Sequence, residues 1–169
     1  MNTQSLNISA FRRIASRNRR RFRKLLSTLE KLPFRGLDKF VVAADKEVWK
    51  EVSCLSCANC CKTMSPTYTL RDIRRIAKYV NLSEKEFRAK WLTKDKAGDW
   101  INQRIPCQFL DLQTNMCSIY SVRPKDCAGF PHHTKKKMVD YMHVYRQNID
   151  YCPATYRLVE KIYKKVNIS

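Results

Sequence analysis

Glycine is scarce in this chain, which contains only Gly36, Gly98 and Gly129. Neither the G-x-G-x-x-G pattern of dinucleotide-binding folds nor the G-x-x-x-x-G-K-[ST] pattern of P-loops can be drawn from them. Both motifs use glycine to bring the backbone close to phosphate groups. The sequence therefore argues against chemistry that is driven by a bound nucleotide.

Long apolar runs are also missing, since no stretch approaches the roughly 18 residues of a membrane-spanning helix. Residues 1–26 contain no apolar segment followed by a small-residue cleavage site, so no secretory signal is predicted. A mitochondrial transit peptide is the alternative for this Arg-rich beginning, which is free of acid until Glu30. We expect a cytoplasmic protein, in whose reducing surroundings cysteines bind metals or catalyse more often than they form disulfides.

Acidic residues are few, with 15 Asp and Glu against 34 Lys and Arg, for a formal charge of +19. Such an excess favours an anionic partner, either nucleic acid or an acidic membrane surface. A solvated basic face is the alternative. The candidate polyanion-binding residues lie in one predicted helix and are Arg12, Arg13, Arg17, Arg19, Arg20, Arg21, Arg23 and Lys24.

Apolar residues that recur every three or four positions predict a helical protein. The predicted helices are residues 9–32, 37–51, two short helices within 69–92, and 153–166. Capping boxes support the middle pair, with Thr69 and Asp72 before one helix and Ser83 and Glu86 before the other. Residues 105–120 read instead as two short extended pieces around a polar turn.

The expected fold is a single, metal-stapled domain, mainly α, with irregular cysteine-bearing loops and at most a short β-hairpin. A length of 169 residues, of which 44% are hydrophobic, suits one domain with its own core. Pro33 and Gly36 interrupt the helical pattern. We therefore predict a basic amphipathic N-terminal arm over residues 1–36 and a cysteine-cluster metal-binding domain over residues 37–169.

Cysteine is the residue whose arrangement carries most information, because four of the eight lie within residues 54–61. Two thiolates separated by two residues can bind one ion while nearby amides donate to sulfur. A disulfide knot and a buried apolar turn are the competing interpretations, but such crowding favours a metal-binding loop. The candidate ligands are Cys54, Cys57, Cys60, Cys61, Cys107, Cys117, Cys127 and Cys152.

The adjacent pair Cys60 and Cys61 is not expected to bind one mononuclear ion together. Neighbouring side chains point to opposite faces of a strand and diverge by about 100° in a helix. One of the two could serve a second ion, a multinuclear cluster or nothing. If the segment is one helix, Cys54, Cys57 and Cys61 share a face and Cys60 points away.

The cysteine spacing does not separate zinc from iron. A zinc ribbon repeats C-x2-C about 15–20 residues apart, whereas this chain has one such pair. The ferredoxin run C-x2-C-x2-C-x3-C-P is matched at Cys54, Cys57 and Cys60 but not beyond. Sites made only of thiolates suit both metals. We expect an iron–sulfur cluster, with 4Fe–4S favoured, or Zn²⁺.

Four segments together resemble the YkgJ-type cysteine-cluster family of zinc- or iron-chelating proteins, namely CLSCANCC, PCQFLD, CSIYSVRPKDCAGFP and CP. The resemblance implies that all eight cysteines are ligands. It also implies that Arg123 and Pro124 fix the loop that carries Cys127. The chain departs from the family at Ala128, where arginine is usual.

Two other features have competing interpretations. Arg123 could donate a hydrogen bond to cluster sulfur and raise the cluster's potential, or it could satisfy carbonyl groups of its own loop, which is commoner. His132 and His133 could bind a metal, but with eight thiols in the chain and lysines at 135–137 we expect a solvated loop.

Three functions fit these observations. The first is a cytoplasmic metal-binding protein with a structural or redox role. The second is a protein-modifying, methylase-like transferase, because related cysteine motifs occur in a flagellin lysine methylase. The third is a basic nucleic-acid or membrane-surface binder with a structural metal. The sequence shows neither a pair of carboxylates nor a nucleophile–base pair that would indicate an enzyme. No catalytic residue is therefore assigned.

Overall fold

The computed structural model describes residues 7–168 and is mainly α, as the sequence predicts. The α-helices are α1 (Ile8–Lys31), α2 (Leu37–Glu51), α3 (Cys54–Cys57), α4 (Asn59–Thr63), α5 (Leu70–Tyr79), α6 (Glu84–Trp91), α7 (Lys125–Gly129), α8 (Met142–Asn148) and α9 (Pro153–Ile168). The strands are β1 (Thr67–Tyr68), β2 (Leu92–Lys94) and β3 (Trp100–Asn102). Short 3₁₀ turns occupy Tyr120–Val122 and Met138–Tyr141. No helix within the described residues is both long and apolar enough to cross a bilayer.

The chain separates into two compact units. Unit 1 runs to Cys57 and resumes at Pro131, and unit 2 comprises Ala58–Phe130. Helices α1–α3, α8 and α9 therefore belong to unit 1, and α4–α7 and the strands belong to unit 2. The predicted division into residues 1–36 and 37–169 stays a prediction, and residues 1–6 of its first part lie outside the described chain.

The core of unit 1 is built on the amphipathic pattern of α1. Its apolar side chains recur every three or four residues and pack on α8 and α9. The buried residues of this face are Phe11, Ala15, Phe22, Leu25, Leu26 and Leu29. The rings of Phe22 and Tyr156 lie 5.1 Å apart between centroids. Because burial of an apolar face supplies most of a helix's stability, α1 belongs to this core.

The core of unit 2 lies between α5, α6 and the segment of residues 105–120. Phe87 of α6 stacks on Phe109 with ring centroids 6.1 Å apart and an interplanar angle of 7°. The sheet has the order β1–β3–β2, and all its pairs are antiparallel. Cys107 and Cys117 pack against the edge of this aromatic and aliphatic cluster. The core therefore positions two of the predicted ligands.

The capping residues locate the helix starts in unit 2. Thr69 and Asp72 form a complete capping box at α5, and Ser83 and Glu86 form one at α6. These side chains satisfy amide groups that the first helical turn leaves without partners. Elsewhere the pattern is less informative: the extended pieces expected in residues 105–120 meet only at the Leu110–Cys117 bridge, and α7 and α8 were not predicted.

Candidate metal centre

The cysteine-rich segment forms two short helices, α3 and α4, instead of one. Ala58 separates them with φ 46° and ψ 16°, which is the left-handed conformation. A continuous α-helix needs φ near −60° at every residue. A single helical face through Cys54, Cys57 and Cys61 is therefore not formed, and the one-helix hypothesis for this segment is wrong.

The eight predicted ligands are divided between the two units, and none of the eight is joined in a disulfide. Unit 1 contains Cys54, Cys57 and Cys152. Unit 2 contains Cys60, Cys61, Cys107, Cys117 and Cys127. Only Cys54 is exposed, whereas the others are buried or half-buried.

Four sulfurs of unit 2 lie within electrostatic reach of one another. Burial raises the pKa of Cys127, and the neighbouring Cys61, Cys107 and Cys117 raise it further. Burial also raises the pKa values of Cys107 and Cys117, to both of which Cys61 adds. Negative charge on several of these buried sulfurs is costly unless a cation is present. The arrangement therefore suits neutral thiols without metal and thiolates with it.

Backbone contacts hold these residues together. The N–H of Cys107 donates to the carbonyl of Cys61 at 2.8 Å, which joins α4 to the 105–120 segment. The Leu110–Cys117 bridge closes that segment and brings Cys117 back towards Cys107. Two distant parts of the sequence thus supply neighbouring sulfurs.

Asp72 and Arg75 of α5 fix the segment that carries Cys127, and neither role is predicted from the sequence. The Asp72 carboxylate, which is 1% exposed, accepts from the N–H of Lys125 at 3.2 Å. Arg75 donates to the carbonyl of Arg123 at 2.9 Å. The capping box identifies Asp72 as a helix-capping residue, but its second oxygen serves a chain segment far away in sequence.

Hydrogen-bond donors already surround two of the four sulfurs. The N–H groups of Phe109 and Ile119, each two residues after a cysteine, oppose the effect of burial on the pKa values of Cys107 and Cys117. The Asn102 side chain acts in the same way on Cys107. Its buried Nδ2 has no hydrogen bond of regular geometry among the described residues, so this neutral amide acts on the sulfur through a less favourable contact.

Unit 1 places Cys152 immediately before α9, where helix amides face its sulfur. Burial raises the pKa of Cys152 to about 11, while the N–H and hydroxyl groups of Thr155 and the N–H of Ala154 act against burial. Cys57 is close enough to raise this pKa further. These two thiols therefore form a second, smaller group.

The donor set fits a thiophilic cation in its chemistry, because it combines buried thiols with amide donors aimed at sulfur. Within residues 7–168, however, no three Cys, His, Asp or Glu side chains are close enough to hold a single ion as they stand. The Sγ atoms of Cys60 and Cys61 do lie 3.9 Å apart. That spacing resembles the roughly 3.8 Å between two ligands of tetrahedral zinc, given Zn–S bonds near 2.3 Å, so the expected divergence of these two sulfurs is not observed.

The other predicted site residues have mixed positions. Arg123 donates to the carbonyl of Tyr120 at 2.7 Å and lies over the Tyr120 ring, and its charge slightly opposes the raised pKa of Cys117 that burial causes. It thus satisfies its own loop, as expected, while standing near one sulfur. The solvated loop expected at the histidines is wrong for His133, which is only 4% exposed.

The predicted polyanion-binding residues lie on the exposed side of α1. Arg19 and Arg23 bind Asp150 at 2.9 and 3.1 Å, and Arg21 lies 4.5 Å from the centroid of the Tyr163 ring. The other five predicted residues are also exposed, namely Arg12, Arg13, Arg17, Arg20 and Lys24.

Comparison with known proteins places the cysteines in a recognised family. A family model described as "CxxCxxCC: Putative zinc- or iron-chelating domain" matches residues 53–153. The chain belongs to this family. The match confirms the resemblance drawn from the cysteine segments and supports a bound metal, without separating zinc from iron.

One similar curated protein is "Uncharacterized protein MJ0661" of Methanocaldococcus jannaschii. It is 32% identical to this chain over 81 residues, which are 47% of this chain and 43% of the relative. The chain therefore aligns with less than half the length of that relative. No solved structure matches significantly.

Proposed function

We propose that this CxxCxxCC protein binds an iron–sulfur cluster through Cys61, Cys107, Cys117 and Cys127 of unit 2. The observation that carries the proposal is the mutual effect of these sulfurs, each of which lies where a charge would raise the pKa of its neighbours. A cationic core that contacts all four removes this repulsion. Cys60, and Cys54, Cys57 and Cys152 of unit 1, are proposed as further ligands or reserve thiols.

The four proposed ligands support a cluster over a single zinc ion, because they influence one another without forming a close trio. Ligands of one tetrahedral zinc lie roughly 3.8 Å apart, given Zn–S bonds near 2.3 Å. Cysteines that bind an iron–sulfur cluster stand farther apart, because the iron and sulfide atoms lie between them. Sulfurs that interact electrostatically, yet include no trio close enough for one ion within residues 7–168, match the wider arrangement.

Bound in this position, an iron–sulfur cluster supplies one-electron redox chemistry or structural cross-linking. The amides of Phe109 and Ile119, and the nearby charge of Arg123, would stabilise thiolates and favour the reduced state. The cytoplasm is the proposed compartment, because thiolate ligands need reducing surroundings.

Adjacent cysteines provide the sharpest test. We expect anaerobically purified protein to be brown and to contain iron and acid-labile sulfide. Cys61→Ser should lose most of this iron, whereas Cys60→Ser, a matched change one residue away, should keep most of it. Colourless protein with zinc and no sulfide would show that the metal assignment is wrong. Equal loss in both variants would show that the ligand assignment is wrong.

A second function, binding of nucleic acid through α1, is favoured by one observation. The apolar face of α1 is buried within unit 1, so it cannot also enter a membrane, while Arg12, Arg13, Arg17 and Arg20 are exposed. Exposed guanidinium groups along a helix suit phosphates. Deleting α1 would remove core residues, so substitution is the proper test of this surface.

Replacing Arg12, Arg13, Arg17 and Arg20 with glutamine should weaken RNA or DNA binding and flatten its salt dependence. The slope of log affinity against log salt should fall by up to about 0.9 for each phosphate that the protein no longer neutralises. A control with the same charge change replaces Arg71, Lys78, Lys85 and Arg104, which are exposed in unit 2. Equal effects in both variants would indicate a general charge effect and not a binding surface on α1.

A further inference from the structure

A buried histidine in unit 1 is held between two hydrogen-bonding partners. Its Nδ1 lies 2.7 Å from Oδ1 of Asp45, and its Nε2 lies 2.9 Å from Oγ1 of Thr155. The residue is His133, which is 4% exposed and stacks on the Tyr145 ring. The Tyr145 hydroxyl also donates to the His133 carbonyl at 2.8 Å. Both the position and the orientation of this imidazole are therefore fixed.

The chain of contacts continues to a proposed metal ligand. Thr155, which is 0% exposed, lies in the first turn of α9, three residues after Cys152. Its hydroxyl and N–H groups are among the donors that oppose the effect of burial on the pKa of the Cys152 thiol. Contacts thus lead from Asp45 of α2 through His133 to Thr155, whose hydroxyl acts on the sulfur of Cys152. Buried polar groups are retained where their partners are satisfied, and His133 has a partner at each ring nitrogen.

The order carboxylate, imidazole, hydroxyl resembles that of a nucleophilic triad, but the surroundings exclude this role. A nucleophile must be reached by its substrate, whereas Thr155 has no exposed surface and His133 has almost none. Of the residues in this series, only Cys152 is a candidate metal ligand.

We propose that Asp45, His133 and Thr155 are positioning residues that hold the Cys152 sulfur in the orientation of a metal ligand. The inference rests on the proposed function, since it needs a metal bound by thiolates. It assigns a role to three residues that are not cysteines, and of these the sequence indicates only His133 as a candidate ligand.

The direction of the hydrogen bonds follows from the donors available. A thiolate only accepts, so Thr155 gives its single hydroxyl hydrogen to Cys152. The Thr155 oxygen can then accept from Nε2–H of His133, and Nδ1–H can also donate to Asp45 when the imidazole is doubly protonated, as a cation opposite the Asp45 carboxylate. Hydrogen-bonding partners that stand behind metal ligands commonly change metal affinity 10–100-fold when they are removed.

The test uses the full chain without oxygen, with Co²⁺ as the probe metal and the sulfur-to-cobalt charge-transfer band as the readout. Cys152→Ser first defines the part of the band that depends on Cys152. Thr155→Val, which keeps the shape and removes the hydroxyl, should reduce that same part and weaken Co²⁺ binding about 10-fold. Thr155→Ser, which restores the hydroxyl, should recover most of both.

Asp45→Asn is a second variant on a more exposed residue, and it should shift the same part of the band in the same direction. Wild-type binding in Thr155→Val and Asp45→Asn would overturn the inference while leaving the proposed function intact. A defect in Thr155→Ser equal to that in Thr155→Val would also overturn it, because shape and not hydrogen bonding would then matter. Absence of Co²⁺ binding by the wild-type chain would overturn the inference, whereas the proposed function is tested separately by the iron and acid-labile sulfide of the anaerobically purified protein.

Discussion

The two groups of thiols differ in what stabilises their charged form. In unit 2, burial raises the pKa of Cys127, and three neighbouring cysteines and Asp126 raise it further. In unit 1, Cys152 is also buried, but three donors from Ala154 and Thr155 act on its sulfur. The groups that act most on Cys127 thus all disfavour its thiolate, whereas Cys152 has donors that oppose part of the effect of burial.

This difference indicates how a metal contributes to each unit. A sulfur such as Cys127, which burial and neighbouring cysteines disfavour as a thiolate, is expected to ionise only with a metal present, so binding and local stability are linked in unit 2. A sulfur with its own donors is closer to a preformed ligand. Metal loss should therefore disturb unit 2 more than unit 1.

The largest effect is expected for Cys127→Ser. This substitution should remove the metal from unit 2, together with metal-linked stabilisation on the order of 10 kcal/mol. Metal analysis and hydrogen exchange of residues 58–130 would measure the two losses. Cys54→Ser, at an exposed position, is the control and should retain most of the metal. Equal losses in the two variants would remove the distinction between the units.

Substitutions in the two cores should lower stability in both units but lower the metal content only in unit 2. Phe87 is fully buried in unit 2 and Phe22 is 1% exposed in unit 1, so replacing either with alanine should cost about 3–5 kcal/mol. Only Phe87→Ala should also lower the metal content, because Phe87 packs on the segment that carries Cys107 and Cys117. Denaturant unfolding would measure the loss of stability in each variant, and metal analysis would show whether only Phe87→Ala also loses metal.

In the absence of metal, alkaline pH should lower the stability of the protein through the buried thiol of Cys152 in unit 1. Burial raises the pKa of Cys152 from 9.0 to about 11, so the folded state holds this proton more tightly than the unfolded state. The associated stability is complete below pH 9 and is lost as pH rises to 11. One thiol contributes about 3 kcal/mol over that window. Cys152→Ala should flatten this part of the stability profile measured by denaturant unfolding.

The smallest effect concerns the capping boxes of α5 and α6. Asp72→Asn should cost about 1–3 kcal/mol, because the buried carboxylate accepts from Thr69, Arg75 and Lys125. Burial alone would raise the pKa of Asp72, but these hydrogen bonds outweigh it and lower the pKa. The stabilisation of the fold by the ionised Asp72 carboxylate is therefore present above the ordinary pKa of Asp and is lost as the pH falls. Glu86→Gln at the exposed box should cost less, as thermal unfolding would show.

The sequence predicts local structure well and the contacts between distant residues poorly. The α2 bounds and both capping boxes follow from spacing and from side chains within one turn. The cysteine family is equally visible, because its spacing is written along the chain. By contrast, the left-handed Ala58 and the second role of Asp72 have no local signal.

His133 shows the same limit. Adjacent lysines indicate an exposed segment, yet its partners Asp45 and Thr155 lie on helices far away in sequence. Periodicity describes which face of a helix is apolar, but it does not state which polar side chain will meet another one. The positioning of the sulfurs therefore required the structure.

Iron-edge X-ray absorption of the anaerobically purified protein would show whether four sulfurs of unit 2 hold one iron–sulfur centre, as proposed. We expect a coordination shell made of sulfur with a second shell of iron neighbours, both lost in Cys61→Ser and retained in Cys60→Ser. A shell dominated by nitrogen or oxygen, or iron without iron neighbours, would contradict it.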